Sequence, residues 1–378
     1  MELTEQQELV RAACASVATD LRQRALAIDA DPADMEPHLG SVAYTFNRVG
    51  ATPYRFRESQ WSLIDSGGAE PSCVERVIAS MEWAYGDAGA LMACPGPALA
   101  GLAVDVLGNE AQQEYFYGRI ADGRTWTFFA MTEPEVGSDA AQMRTRFERD
   151  DSGDYVLNGA KRYVGNGDRG TIGVVWARTS DNLLGIRAAL LDLPAEGCTA
   201  RALPMLGLRG ARLSEMSFTN VRIPAKMMLG EHLSASRRGL WGAMRSLHTM
   251  RLVVGALAIG TARAILDYVA EFFPTARGAE TMGDRIAAAR ASMLDTAAAI
   301  DTDPDRAHLC AAAKLTGSRL AAEASGWALA VAGPGAWADH PLLEKWHRDA
   351  RGFEFMDGTS NIQRLHLAQG YLRENGHG

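Results

Sequence analysis

The spacing of apolar residues changes twice along the chain and divides it into three parts. In the first part apolar positions mostly follow a helix, beginning with Leu9 and Val17 after a predicted N-cap at Thr4. Two further helices are predicted, over residues 74–86 and 97–107. Residues 31–66 are richer in turn formers and receive no assignment. Residues 1–124 are therefore predicted to form a helical domain.

The middle part, residues 125–231, contains short runs of β-branched and aromatic residues separated by Gly, Asn, Asp or Pro. Strands are predicted over residues 126–131, 155–164, 172–177, 186–191, 199–204 and 215–221. Because no helical pattern falls between these runs, an antiparallel sandwich or small barrel is favoured over a doubly wound nucleotide-binding fold.

The last part, residues 232–378, returns to helical spacing in long segments rich in Ala. Helices are predicted over residues 240–273, 281–300, 304–332 and 360–372, with a short helix starting at residue 341. Lengths like these suit a helical bundle. The predicted fold class is therefore mainly α with a central β-barrel, in three closely packed domains.

Composition and charge exclude several classes of protein. The chain has 378 residues, 47% of them hydrophobic and 22% charged, which is ordinary for a globular protein of two or three domains. A formal net charge of −8 disfavours binding to nucleic acid over a broad surface. The five cysteines are scattered without CxxC spacing, as expected in a reducing compartment. The N-terminus lacks signal-peptide character and no uninterrupted apolar run reaches membrane-spanning length, so we expect a cytoplasmic protein without membrane insertion.

The motifs of several common enzymes are missing. We recognise no phosphate loop of the form GxGxxG or GxxxxGK[ST], no HExxH or comparable histidine spacing, and no GxSxG serine elbow. A nicotinamide-dependent Rossmann enzyme, a zinc hydrolase and a serine hydrolase are therefore disfavoured, and no metal site is predicted.

Two local features could carry chemistry. Residues 128–139, FFAMTEPEVGSD, change abruptly from an aromatic strand to a polar loop, in which Pro134 removes a ladder N–H and Gly137 frees the backbone. Such a loop can hydrogen-bond the edge of a flat heterocycle while the strand covers its face. The second feature is Asp357, which precedes Gly358 at the start of the last helix. Local sequence alone favours an edge turn and a helix cap, respectively.

Several segments in order nevertheless resemble the acyl-CoA dehydrogenase family. The run MTEPEVGSD at residues 131–139 is similar to the flavin-contacting motif of that family, and residues 348–364 are similar to its C-terminal motif. Residues 155–167 and 207–230 are similar to further family motifs, so the resemblance runs from about residue 75 to the C-terminus. It implies an N-terminal helical domain, a central β-barrel and a C-terminal four-helix bundle, assembled as a homo-oligomer, either a dimer or a tetramer.

The resemblance also implies FAD as the cofactor and an acyl thioester as the substrate. Asp357 stands where the family has the base that removes the α-proton, and apolar neighbours would have to raise its pKa above the ordinary value of about 3.9. Cofactor contacts are implied for Phe129, Met131, Thr132, Gly137, Ser138, Tyr163, Gly165, Arg277, Gly333, Thr359 and Asn361. Substrate contacts are implied for Ser138, His248, Arg251 and Gly358.

The chain departs from the family pattern at several positions. Asp357 replaces the usual Glu and is one methylene shorter, while Met250 occupies the family's alternative position for the base. His248 stands where Asp is common, in the pocket for the pantetheine arm. Residues 272–278 replace a segment whose arginine contacts the flavin across the subunit interface, and Arg277 is the candidate substitute.

Three functions therefore stay open. The first is FAD-dependent dehydrogenation of an acyl group carried by CoA or by an acyl carrier protein, with an electron-transfer flavoprotein as candidate acceptor. The second is a flavin oxidase or monooxygenase on the same fold. The third is a non-catalytic subunit that completes a partner's flavin site. The changes at His248 favour a carrier protein over free CoA, and Arg237, Arg238 and Arg245 are the candidate docking surface.

Overall fold

The structure, a computed structural model, describes residues 2–57, 70–374 and 376. Its first helices are α1 Glu5–Ala30, α2 Val42–Ala51, α3 Cys73–Met92, α4 Ala98–Leu107 and α5 Glu110–Arg119. Thr4 caps α1 as predicted, because its hydroxyl accepts from the N–H of Gln7, whose side chain accepts from the Thr4 N–H. α3 and α4 confirm the two further helices. α2 lies in the unassigned stretch, of which residues 58–66 are outside the described residues.

Seven strands of the described chain form one curled sheet. They are β1 Thr127–Ala130, β2 Arg146–Arg149, β3 Tyr155–Gly165, β4 Ile172–Arg178, β5 Ile186–Asp192, β6 Cys198–Ala202 and β7 Leu213–Ile223. The order is β1-β4-β2-β3-β7-β6, and β5 also pairs with β4. The predicted strands are confirmed, and β2 was missed because its sequence RFER contains a single apolar residue. The expected antiparallel pairing is wrong for β1, which runs parallel to β4, whereas β2 pairs antiparallel with β3 and meets β4 in parallel at a single residue pair.

The chain then returns to helix. The elements are α6 Leu240–Phe272, α7 Ala279–Thr302, α8 Leu309–Ala332, α9 Ala336–Asp339, α10 Pro341–Phe355 and α11 Ser360–Glu374. α8 begins at Leu309 rather than residue 304, because Pro304 instead heads a short 3₁₀ turn. It ends at Gly333, whose φ of 76° is in the left-handed region where glycine is favoured. The predicted fold class, mainly α with helical parts on either side of a curled sheet, is confirmed.

The N-terminal and C-terminal helices share one hydrophobic core, built from buried residues of α1, α3, α6, α7, α8 and α10. Small residues let these helices approach closely. A Cβ atom at Gly260 of α6 would meet the carbonyl oxygen of Met81 in α3, and one at Gly317 of α8 would meet that of Gly255 in α6. A single larger side chain at Gly260 or Gly317 would therefore force the helices apart.

A buried ionic cluster connects α3, α10 and the segment between β6 and β7. Lys345 Nζ lies 2.7 Å from Asp87 Oδ1 and 2.6 Å from Asp349 Oδ2, and the Leu208 N–H donates to Asp349 at 2.6 Å. Asp87 interrupts α3 with φ −170° and ψ 123°, and its carboxylate accepts from the Ala90 N–H where the helix resumes. Because all three charged side chains are at most 1% exposed, each depends on the others to offset its desolvation.

One helix in the described chain is long and apolar enough to cross a membrane. The segment Ala235–Phe272, which contains α6, has a mean hydropathy of 1.6 in its most apolar window. No uninterrupted apolar run marks this segment in the sequence, because scattered polar residues divide a helix that is apolar on average. Since 72% of that window is buried in the protein, the core position of α6 accounts for its composition.

Candidate active site

A cavity of about 1300 Å³ opens between the sheet and the helices. Most of the residues that the sequence singled out line it, namely Phe129, Met131, Thr132, Gly137, Ser138, Tyr163, Gly165, Arg251, Asp357, Gly358 and Thr359. They come from β1 and the loop after it, from β3, from α6 and from the turn between α10 and α11. The fold therefore brings the two motifs of the sequence, more than half the chain apart, to one site.

Glu133, in the loop after β1, is a structural residue that the sequence analysis missed. Its carboxylate accepts from Lys161 Nζ at 3.0 Å and from the N–H groups of Arg144 at 2.7 Å and Thr145 at 2.9 Å. Lys161 Nζ also donates to the carbonyl of Met131 at 2.9 Å. Burial lowers the pKa of Lys161 to about 8, although Glu133 opposes the shift. This ion pair fixes the loop after β1 against β3.

The same loop has unused hydrogen-bond donors. Within the described residues, no hydrogen bond is made by the backbone N–H groups of Thr132, Gly137 and Ser138. The side-chain hydroxyls of Thr132 and Ser138 make none either. Phe129 of β1 packs on Trp176 with the ring centroids 5.7 Å apart, which gives the cavity an aromatic wall. Free donors beside an aromatic wall suit a flat heterocycle with carbonyl and ring-nitrogen acceptors. These residues therefore fit a flavin.

Tyr163 lies at a bulge of β3. The pairing of β3 with β7 shifts between Lys161 and Val164, and Tyr163 has a left-handed φ of 59°. Its side chain is 55% exposed and lines the cavity. A bulge turns a side chain away from the regular alternation of a strand, and strained non-glycine residues often mark functional sites.

The turn from β3 to β4 contains a glycine spacing whose expected absence is wrong. Residues 165–170, GNGDRG, fit GxGxxG, the spacing of dinucleotide-binding loops. That loop binds phosphate because a helix begins directly after it, whereas here the strand β4 follows. The spacing therefore gives no support to a Rossmann site.

Asp357 lies in the turn between α10 and α11 with a left-handed φ of 51°. Its Oδ2 atom is buried and has no hydrogen-bond partner in the part of the chain that the structure describes. Burial raises the pKa of Asp357 to about 6, against the opposing charges of Lys314 and Arg251. The helix-cap interpretation is wrong, because the N–H of Ser360 at the start of α11 donates instead to Glu354 at 2.9 Å.

Three buried side chains hold the backbone of this turn. Arg251 Nε donates to the carbonyl of Asp357 at 3.0 Å. Gln363 Nε2 donates to the carbonyls of Asp357 at 3.0 Å and Gly358 at 2.9 Å. Lys314 Nζ donates to the Gly358 carbonyl and to a carbonyl in the last turn of α10. Sequence reasoning missed Lys314 and Gln363, although Gln363 belongs to the Ile-Gln-Arg of the C-terminal motif.

His248 is not among the residues that line the cavity. Its Nδ1 atom is buried and has no hydrogen-bond partner among the described residues. Burial, reinforced by Arg251, lowers the pKa of His248 to about 3, so its ring is neutral at physiological pH. Nearby, Arg251 Nη1 lies 2.8 Å from His366 Nδ1. A neutral His248 offers no charge to a phosphate, and its predicted contact with substrate stays a prediction.

Arg277, Gly333 and Asn361 are also not among the residues that line the cavity. Arg277 is exposed and its carbonyl accepts from the indole N–H of Trp327 at 2.9 Å. Asn361 is exposed on the first turn of α11, where its side chain accepts from Arg364 at 3.1 Å. Their predicted cofactor contacts stay predictions.

The described residues contain no metal centre, since no group of three or more His, Cys, Asp or Glu is placed to hold an ion. Of the cysteines, Cys94 lines the cavity, but burial raises the pKa of its thiol to about 12. The thiol therefore stays protonated and is a poor nucleophile.

Comparison with known proteins identifies the family. Residues 128–221 match the acyl-CoA dehydrogenase middle domain, and residues 237–372 match the acyl-CoA dehydrogenase C-terminal domain. A probable acyl-CoA dehydrogenase of Mycobacterium tuberculosis is 30% identical over 326 residues, which cover 81% of this chain and 82% of that protein. The chain belongs to the acyl-CoA dehydrogenase family, whose members are flavin oxidoreductases acting on CH–CH bonds.

Solved structures confirm the fold. Butyryl-CoA dehydrogenase from Megasphaera elsdenii superposes with a TM-score of 0.84 and is 25% identical in sequence. The match covers 99% of this chain and 100% of that chain. The prolyl acyl carrier protein oxidase AnaB has a TM-score of 0.80 over 97% of this chain and 99% of that one. At 22% identity, this second likeness shows the fold alone.

Proposed function

We propose that this protein is an FAD-dependent acyl-thioester dehydrogenase in which Asp357 removes the α-proton of the substrate. The observation that carries the proposal is the carboxylate oxygen of Asp357, which is buried and has no partner in the described chain, at a cavity also lined by the loop after β1. Bound FAD would supply the acceptor for the β-hydride. Phe129, Thr132 and Ser138 are placed to hold it through the aromatic wall and the free donors.

The residues of the chain itself divide the remaining work. A pKa of about 6 leaves Asp357 ionised at neutral pH and makes it a stronger base than an ordinary aspartate. The Asp357 N–H donates to no carbonyl in the described chain and is free to polarise the thioester carbonyl, which acidifies the α-proton. Both groups lie on the turn held by Arg251, Gln363 and Lys314, so their relative positions are fixed before substrate binds.

A free base at the cavity favours an active enzyme over the non-catalytic subunit. We also propose a homo-oligomer, because Arg277 and Gly333, to which the family resemblance gives cofactor contacts, are not among the residues that line the cavity of their own chain. An electron-transfer flavoprotein is the proposed electron acceptor, in the cytoplasm. Rapid reoxidation of the reduced flavin by oxygen would instead favour the oxidase alternative.

Purified protein should be yellow and carry non-covalently bound FAD, because free donors and an aromatic wall line the cavity. Anaerobic addition of a matching acyl thioester should bleach the flavin absorbance. Acid precipitation should release FAD into the supernatant, as expected for a non-covalent complex. A colourless protein that cannot be reconstituted with added FAD would contradict the proposal.

We further propose that the acyl group arrives on a carrier protein rather than on free CoA. Arg237 and Arg245 are exposed and lie within three residues of Leu240 and Met244, which line the cavity, and the guanidinium of Arg245 lies 5.8 Å from the ring centroid of Trp241. An acidic carrier would be attracted to such a surface. Arg238 contributes less, because it is half-buried and lies 3.6 Å from a carboxylate oxygen of Glu231.

The same acyl group should be oxidised with a higher kcat/KM when it is loaded on a carrier than when it is on CoA. Replacing Arg237 and Arg245 by Ser should lower kcat/KM for the carrier substrate about 10-fold at low salt and leave the CoA substrate unaffected. Arg319→Ser, an exposed arginine that does not line the cavity, is the matched control. Equal or faster oxidation of the CoA substrate would refute the carrier preference and leave the dehydrogenase assignment intact.

A further inference from the structure

Lys314 is a buried lysine with no ion pair in the described chain, and it lies directly behind the turn that carries Asp357. It is 1% exposed, and its Nζ atom donates to the carbonyl of Glu354 at 3.1 Å and to that of Gly358. The carbonyls in the last turn of a helix have no partner within the helix, so the ammonium group caps α10. The same group thereby ties the end of α10 to the turn.

The conformation of that turn is unfavourable by itself. Asp357 has φ 51° and Gly358 has φ 102°, two successive residues in the left-handed half of conformational space. A Cβ atom at position 358 would also approach Gln363 Nε2 within 2.8 Å, so only glycine fits. Such a turn keeps one shape only when its surroundings fix it, and here fixing it is what leaves the carboxylate free at the cavity.

We propose that Lys314 is a positioning residue for Asp357, holding the Asp357–Gly358 turn so that the carboxylate faces the substrate, with its charge helping to keep that carboxylate ionised. The inference rests on the proposed role of Asp357 as the base. Gln363 also donates to the Gly358 carbonyl but carries no charge, and Arg251 holds the Asp357 carbonyl while it is shared with His366. Removing Lys314 would change both the geometry of the turn and the positive charge with the larger effect on Asp357.

The charged and titratable groups around Asp357 come from four helices: Lys314 from α8, Arg251 and His248 from α6, Glu354 from α10 and His366 from α11. Both histidines are neutral above pH 5, because burial and then Arg251 lower their pKa values, that of His248 to about 3 and that of His366 to about 4. The Glu354 carboxylate is bonded to the N–H and hydroxyl of Ser360.

Lys314 itself is positively charged over the pH range in which Asp357 titrates. Burial lowers its pKa to about 8, against the attraction of Asp357 and Glu354, so the group is an ammonium ion between pH 5 and 7.5. Removing a positive charge near a carboxylate disfavours the ionised form. Loss of Lys314 should therefore move the deprotonation of Asp357 to higher pH.

The test is the Lys314→Met variant, in which a side chain of similar length lacks the ammonium group. Anaerobic flavin bleaching at pH 6.5 should slow at least about 10-fold at saturating substrate, with little change in half-saturation. The midpoint of its pH dependence should rise by about 1 to 3 units. Lys314→Arg, which keeps charge and donors, should bring the midpoint back toward that of the unaltered protein, and Lys314→Gln serves if the methionine variant does not fold.

A second readout does not depend on turnover. The infrared band of the protonated Asp357 carboxyl, assigned by its loss in Asp357→Asn, should titrate at higher pH in Lys314→Met without substrate. Ser318→Ala is the matched control, because Ser318 lies one turn further along α8 and donates to the Phe353 carbonyl of α10 at 3.2 Å without contacting the turn. It should leave rate and midpoint unchanged.

The outcomes separate the two proposals. An unchanged rate and midpoint in Lys314→Met, or an equal shift in Ser318→Ala, would overturn the role of Lys314 while Asp357 remained the base. Fast bleaching in Asp357→Asn would instead overturn the assignment of the base, on which the role of Lys314 depends.

Discussion

The Asp357→Asn variant should bind FAD and substrate as the unaltered protein does and should reduce its flavin about 10²- to 10⁴-fold more slowly. The amide nearly fills the space of the carboxylate but cannot accept the α-proton. Stopped-flow bleaching under anaerobic conditions gives the rate, and its dependence on substrate concentration gives the affinity. The unaltered protein should also lose rate as pH falls through about 6, because protonation removes the base, whereas the Asn variant should show no such step.

Glu354→Gln is the matched control for this experiment. Glu354 is a second carboxylate close in sequence, but its oxygens accept from the N–H and the hydroxyl of Ser360, so it is occupied in capping α11. This variant should retain most of the bleaching rate at pH 7. Retention of that rate by Asp357→Asn would reduce Asp357 to a structural role.

A lower rate in Asp357→Glu would show that the site is built for the shorter acid.

The Lys345→Met variant should lose about 3 to 5 kcal/mol of unfolding free energy at neutral pH, the cost of leaving buried charges without their partner. Asp87 and Asp349 would remain as two carboxylates at most 1% exposed. Burial already raises the pKa of Asp349 while Lys345 opposes the shift, so removing Lys345 should raise it further. A raised pKa in the folded state favours folding at low pH, and the loss of stability should therefore be smaller at pH 5 than at pH 8.

Urea unfolding followed by circular dichroism measures this difference. Lys226→Met is the matched control, because Lys226 is exposed and has no ion pair in the described chain, and it should change stability by about 0.5 kcal/mol or less. If Lys345→Met were as mild as the control, the cluster would not be what joins α3 to α10.

The elements of the fold were predictable where periodicity is long and regular. The spacing of apolar residues marked α6 and α8, and short β-branched runs marked β4 and β5. By contrast β2, with one apolar residue in four, has too little pattern to be recognised. The parallel pairing of β1 with β4 depends on where the intervening strands go, and a local pattern contains no information on that.

The site was predictable only as far as its motifs reach. Asp357 was found because the residues around it resemble a family motif, yet its free oxygen and raised pKa depend on burial by distant helices. Lys161 and Lys314 are single lysines whose contacts no local pattern of the sequence indicates. Their partners lie 28 and 44 residues away along the chain, so contacts made in three dimensions decide their roles.

The burial of most lysines affects how readily the protein is acylated by reactive thioesters. The chain contains four lysines, and Lys161, Lys314 and Lys345 are at most 1% exposed, which leaves Lys226 at the surface. Activated acyl groups modify accessible amines without any enzyme, whereas the guanidinium group of arginine stays protonated and does not compete. A folded chain that carries its surface positive charge almost entirely on arginine is therefore largely protected from acylation by its own class of substrate.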